Sequence, residues 1–169
     1  NNGSVSKIAA SDGSVIGTYP VGTQPNGIIF DGTALWVANG GDDTVKKLNP
    51  TTGAVIGTYA VGDSPMGLAF DGANLWVANS AGGTVTKLRA YDGTLLATCP
   101  AGTSPMFIAF DGFHIWVTNY TDPGTVTRMQ ANNCGMTTAI ATDRYPFGVA
   151  FDGANIWVAD SQTNKVSKH

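Results

Sequence analysis

The sequence predicts an all-β chain, a β-propeller built from about four copies of a four-stranded antiparallel blade, and three observations carry that prediction. Trp36, Trp76, Trp116 and Trp157 recur at spacings of 40, 40 and 41 residues, and Pro25, Pro65, Pro105 and Pro146 keep the same intervals. Phe30, Phe70, Phe110 and Phe151 follow the same period, each leading into an Asp-Gly pair. Between Gly, Asp, Asn and Pro punctuation the apolar runs are short, and no helical pattern of about ten residues appears anywhere.

One unit serves for all. Strand A covers residues 27–30, and the Asp31-Gly32 turn leads to strand B at 35–38, an Asp-Gly hairpin signal. A loop follows at 39–43. Strand C covers 44–48, a turn occupies 50–53, strand D covers 55–61, and residues 62–65 cross to the next unit. A meander of four short strands cannot bury both of its faces alone, whereas sheets stacked around an axis bury them against one another. Trp36 and its counterparts lie in the run Leu-Trp-Val-Ala, which fits a strand buried on both faces, so these indoles are expected in the core between blades. Strand D carries Thr18-Tyr19-Pro20, and a proline suits an outer edge.

The series Val5, Val45, Val85, Val126 and Val166 has five members, so the repeat runs slightly past four units. The chain divides into a half blade at 1–22, blades at 23–62, 63–102 and 103–143, and a partial blade at 144–169. Strand C is present twice at the two ends, with residues 4–8 competing against 165–168 for one place. That surplus strand points to part of a larger propeller of six to eight blades, in a longer chain or assembled from several copies.

Composition bounds the partners. The chain is 43% apolar, only 12% charged, contains no Glu and has a net charge of −3, with nine Lys or Arg scattered singly. No basic footprint for nucleic acid exists. Every hydrophobic stretch is interrupted well before the roughly 18 residues that a membrane-spanning helix needs. The low charge and the abundance of small polar residues suit a secreted or cell-surface protein. A start at Asn1-Asn2-Gly3, without Met or an apolar leader, reads as a mature product or an excerpt.

Trp-Val-Ala-Asn or Trp-Val-Thr-Asn, then Thr-Val-Thr-Lys-Leu, then Thr-Gly, then Val-Gly-x-x-Pro-x-Gly recur along the chain. This pattern resembles the YVTN-type propeller repeat of microbial surface proteins and is similar to the NHL-like repeats of the streptogramin (virginiamycin B) lyase family, over essentially the whole chain. The resemblance implies the propeller fold, which supports lyases, adhesins, sensors and scaffolds alike. Lyases of that family use His and Glu side chains with a bound Mg²⁺. This chain has no Glu, and its two histidines are His114, beside an A–B turn, and His169, the last residue. No catalytic residue carries over and no cofactor is expected. The favoured function is a non-catalytic binding or scaffold module; the alternative is a fragment of a lyase-like propeller whose catalytic residues lie outside this chain.

Alternating strand direction puts the B–C loops and the D–A crossings on one face of the disc. Beside each repeated Pro on that face stand Asn26, Met66, Met106 and Phe147, and Phe107 replaces the glycine found at 27, 67 and 148. Asn39, Asn79, Asn119 and Asp160 are expected to rim the channel. With Asp42, Asp43 and Tyr120, the residues Asn26, Met66, Met106, Phe107 and Phe147 form the candidate surface for a small apolar or glycan-like ligand or a partner protein. The competing reading is that Met and Phe plug the axial channel while the Asn residues close turns.

Asp31 and its equivalents are expected to cap their own turns, and Asp42-Asp43 offers too few oxygens for Ca²⁺, so no metal site is expected. Lys7, Lys47, Lys87, Arg128 and Lys168 recur on strand C as a structural ladder that covers apolar surface. Cys99 falls near the far end of a D strand and Cys134 in the next blade's C–D turn. That places them on opposite faces, roughly 17 Å apart along a strand, beyond the roughly 7 Å Cα limit for a disulfide, so two free thiols are expected. Asn2-Gly3-Ser4 and Asn119-Tyr120-Thr121 match the glycosylation pattern.

Overall fold

A computed structural model describes residues 2–169, the side chains of Asn2, Met136 and Thr137 excepted. A hairpin of β1 (Asn2–Ile8) and β2 (Val15–Thr23) comes first. Three complete four-stranded meanders follow. The first holds β3 (Pro25–Phe30), β4 (Leu35–Asn39), β5 (Thr44–Leu48) and β6 (Val55–Ala60); the second holds β7 (Pro65–Phe70), β8 (Asn74–Asn79), β9 (Thr84–Arg89) and β10 (Leu95–Pro100). The third holds β11 (Pro105–Phe110), β12 (His114–Asn119), β13 (Thr125–Gln130) and β14 (Met136–Ala141). Three strands close the chain: β15 (Pro146–Phe151), β16 (Ile156–Asp160) and β17 (Lys165–Lys168). All the ladders are antiparallel. Consecutive sheets pack on one another, with the first strands β3, β7, β11 and β15 in contact along the inner edge. The sheets are propeller-like blades, and among the described residues no ladder joins the first sheet to the last, so they close no ring.

Strand A starts two residues earlier than expected, at the repeated proline, because a bulge lets Pro25 pair with Asn39 while Ile28 pairs with Val37. A proline as the first residue costs the ladder no donor. The Asp-Gly turns behave as expected: Gly32, Gly72, Gly112 and Gly153 have φ between +94° and +100°. Each aspartate also does more than close its turn. Asp31 accepts hydrogen bonds from the backbone N–H of Thr33 and Ala34 through Oδ1, and its Oδ2 accepts the indole N–H of Trp36 at 2.7 Å. Asp71, Asp111 and Asp152 hold Trp76, Trp116 and Trp157 in the same way, at 2.8, 2.8 and 2.6 Å.

Those indoles are the core between blades. Trp36, Ala38 and Val45 of one sheet form a single buried cluster with Leu75, Val77, Leu88 and Ala90 of the next. The strand C cations complete the junction. Lys47 Nζ lies 5.0 Å from the Trp36 ring centroid and donates to the carbonyls of Ala90 and Tyr91 in the following blade. Lys87 repeats this over Trp76 and donates to Ala131. One ammonium thus joins the aromatic face of its own blade to the C–D turn of the next.

The cysteines correct the sequence reading, because Cys99 and Cys134 form a disulfide with a Cα–Cα distance of 5.8 Å. Strand height within a sheet was the wrong measure. The outer strand of each blade lies across the C–D turn of its successor, so that a Cβ placed on Gly53 would run into the Tyr19 ring and one on Gly93 into the Tyr59 ring. Cys99 pairs with Val85 as Tyr59 pairs with Val45 and Tyr19 with Val5, so it holds the tyrosine position. Cys134 holds the glycine position: its N–H donates to Gln130 O as Gly93 donates to Arg89 O, at φ +60° against +76°. A ring stacked on a glycine at two junctions becomes a covalent bond at the third.

Two expectations follow. Replacing both cysteines by serine releases a loop of 35 residues and should cost about 3–4 kcal/mol in denaturant unfolding, whereas C99Y combined with C134G should recover much of that loss by rebuilding the contact of the other junctions. The aspartates set the acid limit. Burial by itself raises the pKa of Asp71, but the donors Asn74, Trp76 and the Ala73 and Asn74 amides outweigh it and hold it below the usual carboxylate range. Asp31 and Asp111 are lowered by the same balance, and Asp152 is lowered chiefly by the Trp157 N–H. A carboxyl depressed in the folded state contributes stability that is whole above its unfolded pKa of about 3.9 and is lost as pH falls through the folded value. Thermal midpoints should therefore stay level from neutral pH down to about pH 5 and decline only below about pH 4, together with loss of the buried tryptophan fluorescence.

Candidate functional site

The B–C loops and D–A crossings do share one face, and the structure sorts the expected residues there into two groups. Phe107, Tyr120 and Phe147 come together. The Phe107 and Phe147 rings lie 4.8 Å apart, Tyr120 packs edge-on to Phe147 at 6.0 Å, and a fourth ring, Tyr145, sits 5.0 Å from Tyr120. Phe147 is 40% exposed and the other three are partly so. The four rings form a continuous aromatic platform between the third complete sheet and the last one.

Backbone contacts fix that platform. Tyr145 occupies the place of Gln24, Ser64 and Ser104 before the repeated proline, and like them has positive φ, here +52°. Its N–H donates to Thr121 O, and its carbonyl accepts from the N–H and the hydroxyl of Ser161, so two B–C loops grip one residue. The hub supplies the rest. At Gly67 a Cβ would sit 2.5 Å from Met106 O, which shows how closely β7 approaches β11. Phe107 carries a side chain at the corresponding place of the next junction. There Thr118 stands where the other blades have Ala38, Ala78 and Ala159; its hydroxyl accepts from Phe107 N–H at 3.1 Å and donates to Phe147 O at 2.8 Å. One hydroxyl therefore ties β11, β12 and β15 together beneath the rings.

The remaining expected residues do not join the platform. Asp42 accepts from the backbone N–H and hydroxyl of Thr23, and Asp43, itself at φ +53°, accepts from Ser64 N–H. These carboxylates pin crossings in the first half of the chain. Asn26 is exposed and donates to Pro65 O, which links β3 to β7. Met66 is partly buried, and Met106 Sδ accepts from Ser80 at 3.5 Å. Asn39, Asn79, Asn119 and Asp160 do not rim a channel, because all four are buried, at most 2% exposed. Asn79 donates to Thr84 and Thr86, and Asn119 to Thr125 and Thr127, which takes Asn119 out of reach of glycosylation. Tyr145 and Thr118 were missed, although both are the odd member of their repeat column.

The opposite face carries clefts between turns. One of about 460 Å³ is lined by Asp31, Lys47, Arg89 and Tyr91 among others, and one of about 440 Å³ lies beside Phe113 and His114. Their charged groups and imidazole are already engaged: Asp31 by Trp36, Lys47 by two carbonyls, Arg89 by Asp92, and His114 by Asp111 at 3.2 Å. Among the described residues no group of three or more His, Cys, Asp or Glu could hold a metal ion. No helix is long and apolar enough to cross a membrane.

No protein-family model matches the sequence, and no curated protein matches it. Solved structures do. Kuenenia stuttgartiensis hydrazine synthase superposes with a TM-score of 0.84 at 21% identity, covering 92% of this chain and 49% of that one. The computationally designed Ika4 protein gives 0.76 at 13% identity, over 87% of this chain and 91% of its own. A functionally unknown protein from Desulfotomaculum acetoxidans gives 0.77 at 14% identity, over 98% and 60%. The chain thus spans about half the length of the hydrazine synthase chain, and at these identities the likeness is one of fold.

Proposed function

We propose that this chain is a non-catalytic binding module of a larger propeller of six to eight blades, built from YVTN/NHL-type repeats and working outside the cell, and that the platform of Phe107, Tyr120, Tyr145 and Phe147 receives a glycan-like ligand. The observation that carries this reading is four adjoining, partly exposed rings on one face, held by backbone bonds that order them before any ligand arrives. Flat aromatic faces suit the apolar side of a sugar ring, and rigid rings lose little entropy on binding. Hydroxyls supply the polar edge. Thr121 and Ser161 lie in the two loops that grip Tyr145. Asp42 and Asp43 are spent on crossings, and Asp160 is buried and accepts from the Ser167 hydroxyl, which favours recognition over acid–base chemistry. The Cys99–Cys134 disulfide is compatible with an oxidising compartment and so supports export.

The test is titration of the protein against a panel of soluble oligosaccharides, followed by the best ligand against variants. F147A and Y120A should each weaken binding by about tenfold or more, the loss typical of a central aromatic contact. D43A should leave affinity unchanged while lowering stability. If no saccharide binds, or if F147A and Y120A bind as tightly as the parent, the platform is not a glycan site.

A further inference from the structure

The junction that carries the aromatic platform departs from the others in its charged residues as well as in its rings. Asn39 pairs with Thr44 and Asn79 with Thr84, five residues on, whereas Asn119 pairs with Thr125, six residues on. The extra residue is in the B–C loop at 120–124, which also holds Asp122. In the D–A crossing packed against that loop, Asp143 stands where the others have Gly22, Gly62 and Gly102, and Arg144 where they have Thr23, Asp63 and Thr103. Backbone contacts hold loop and crossing together: Thr142 N–H donates to Gly124 O and Tyr145 N–H to Thr121 O, and a Cβ on Gly124 would run into Asp143 O and the Pro146 ring. The loop at 161–164 grips the crossing from its other side, where Ser161 donates to Tyr145 O.

Around this crossing the carboxylates and the ammonium are occupied with their neighbours. Asp143 accepts from Lys165 Nζ at 2.8 Å and from the Arg144 N–H, so that carboxylate and ammonium neutralise one another. Asp122 faces Arg144. The guanidinium is engaged through one nitrogen only, Nε at 3.4 Å from Asp122 Oδ1, and the Arg144 side chain is 63% exposed. A guanidinium has five N–H donors, and its charge-assisted bonds to carboxylate are about 2.7–2.9 Å long. The Asp122 contact is therefore loose, and the two Nη atoms meet no acceptor among the described residues. The Arg144–Asp122 pair spans the same two segments as the Tyr120–Tyr145 ring pair, which sets the open fork beside the rings.

We propose that the ligand of the platform is an acidic sugar, a hexuronate whose ring lies on the aromatic faces and whose carboxylate takes the free edge of Arg144. The inference rests on the glycan reading and narrows it. A planar carboxylate matches the guanidinium fork with two parallel N–H···O bonds, which the hydroxymethyl group at the same place of a neutral hexose cannot make. Charge favours the same choice. The guanidinium is the charged group of this crossing with hydrogen bonds still to give, so an anionic group gains a partner there. Arg144 stays charged at every working pH, and the preference needs no protonation step.

Calorimetric titration of the 169-residue chain with matched pairs tests this. The pairs are oligomers of galacturonate, glucuronate and mannuronate, each beside its carboxyl-reduced hexose form, which keeps the ring and loses the charge. One or more of the acids should bind tighter than its reduced partner by about fivefold or more at low salt, and the gap should narrow as salt is added. R144Q alters an exposed side chain and should keep the parent's circular dichroism while erasing that gap. K46Q, which removes a cation of β5 in the first complete sheet, should retain the gap, so that a direct contact is told apart from net charge. Acids and hexoses that bind alike, a gap that survives in R144Q, or one that K46Q erases equally would overturn the acidic-sugar inference and leave the platform standing. If no member of any pair binds, the platform reading falls with it.

Discussion

A buried indole has one polar atom, and leaving its N–H without an acceptor in an apolar interface costs about 1–3 kcal/mol, a sizeable part of what burying the ring gains. In this protein the acceptor is the Oδ2 of the turn aspartate five residues earlier, and a strand C cation covers the ring from the other side. The arrangement couples three levels at once. The aspartate shapes the A–B turn, the turn fixes the tryptophan, and the cation carries the junction on to the backbone of the next blade. A chain with only 12% charged residues places four of its aspartates and four of its cations in this one recurring assembly. Its blades are held together less by surface ion pairs than by an aspartate, an indole and a cation stacked across each sheet.

Against that constant framework the third complete blade is free to differ. Its junction with the second blade carries Cys99–Cys134 in place of the tyrosine-on-glycine contact at the rim, and its own hub carries Phe107 and Thr118 in place of glycine and alanine. Both changes are paired. A bulky Phe107 near the inner edge comes with a hydroxyl that bridges to β15, and a cysteine at a left-handed turn position comes with its partner in the neighbouring blade. The result is a blade locked to its predecessor at the rim and decorated with aromatic rings at the hub where it meets its successor.

Strand order, the Asp-Gly turns and the placing of the tryptophans between sheets were legible because a 40-residue period repeats the same local chemistry several times. The disulfide is not legible from height within a single sheet, because each outer strand crosses the next blade's turn and brings residues at opposite ends of the blades together. Its signal was nonetheless present: Tyr19 and Tyr59 give way to Cys99 in the same junction where Gly53 and Gly93 give way to Cys134. The site was half legible. Phe107 stood out as a departure from a column of glycines, Phe147 by its place after the repeated proline and Tyr120 by its place in a variable B–C loop, whereas Asp42 and Asp43 turned out to be bonded to backbone. Tyr145 escaped notice although it is the one aromatic residue in the column of Gln24, Ser64 and Ser104, and the buried asparagines were misplaced because a loop-end residue in a repeat can face inward as easily as out.

The central claim is that the carboxylate and the indole act as a unit, and a double-mutant cycle on one pair with a fully buried indole tests it most directly. Asp71→Asn, Trp76→Phe and the double variant, unfolded in denaturant, isolate the coupling of the Asp71–Trp76 hydrogen bond. A coupling of about 1–3 kcal/mol, in the range of a hydrogen bond to a charged group, is the predicted result. Additive losses, with a coupling near zero, would mean that the tryptophans are held by packing alone and that the turn aspartates contribute nothing beyond their turns.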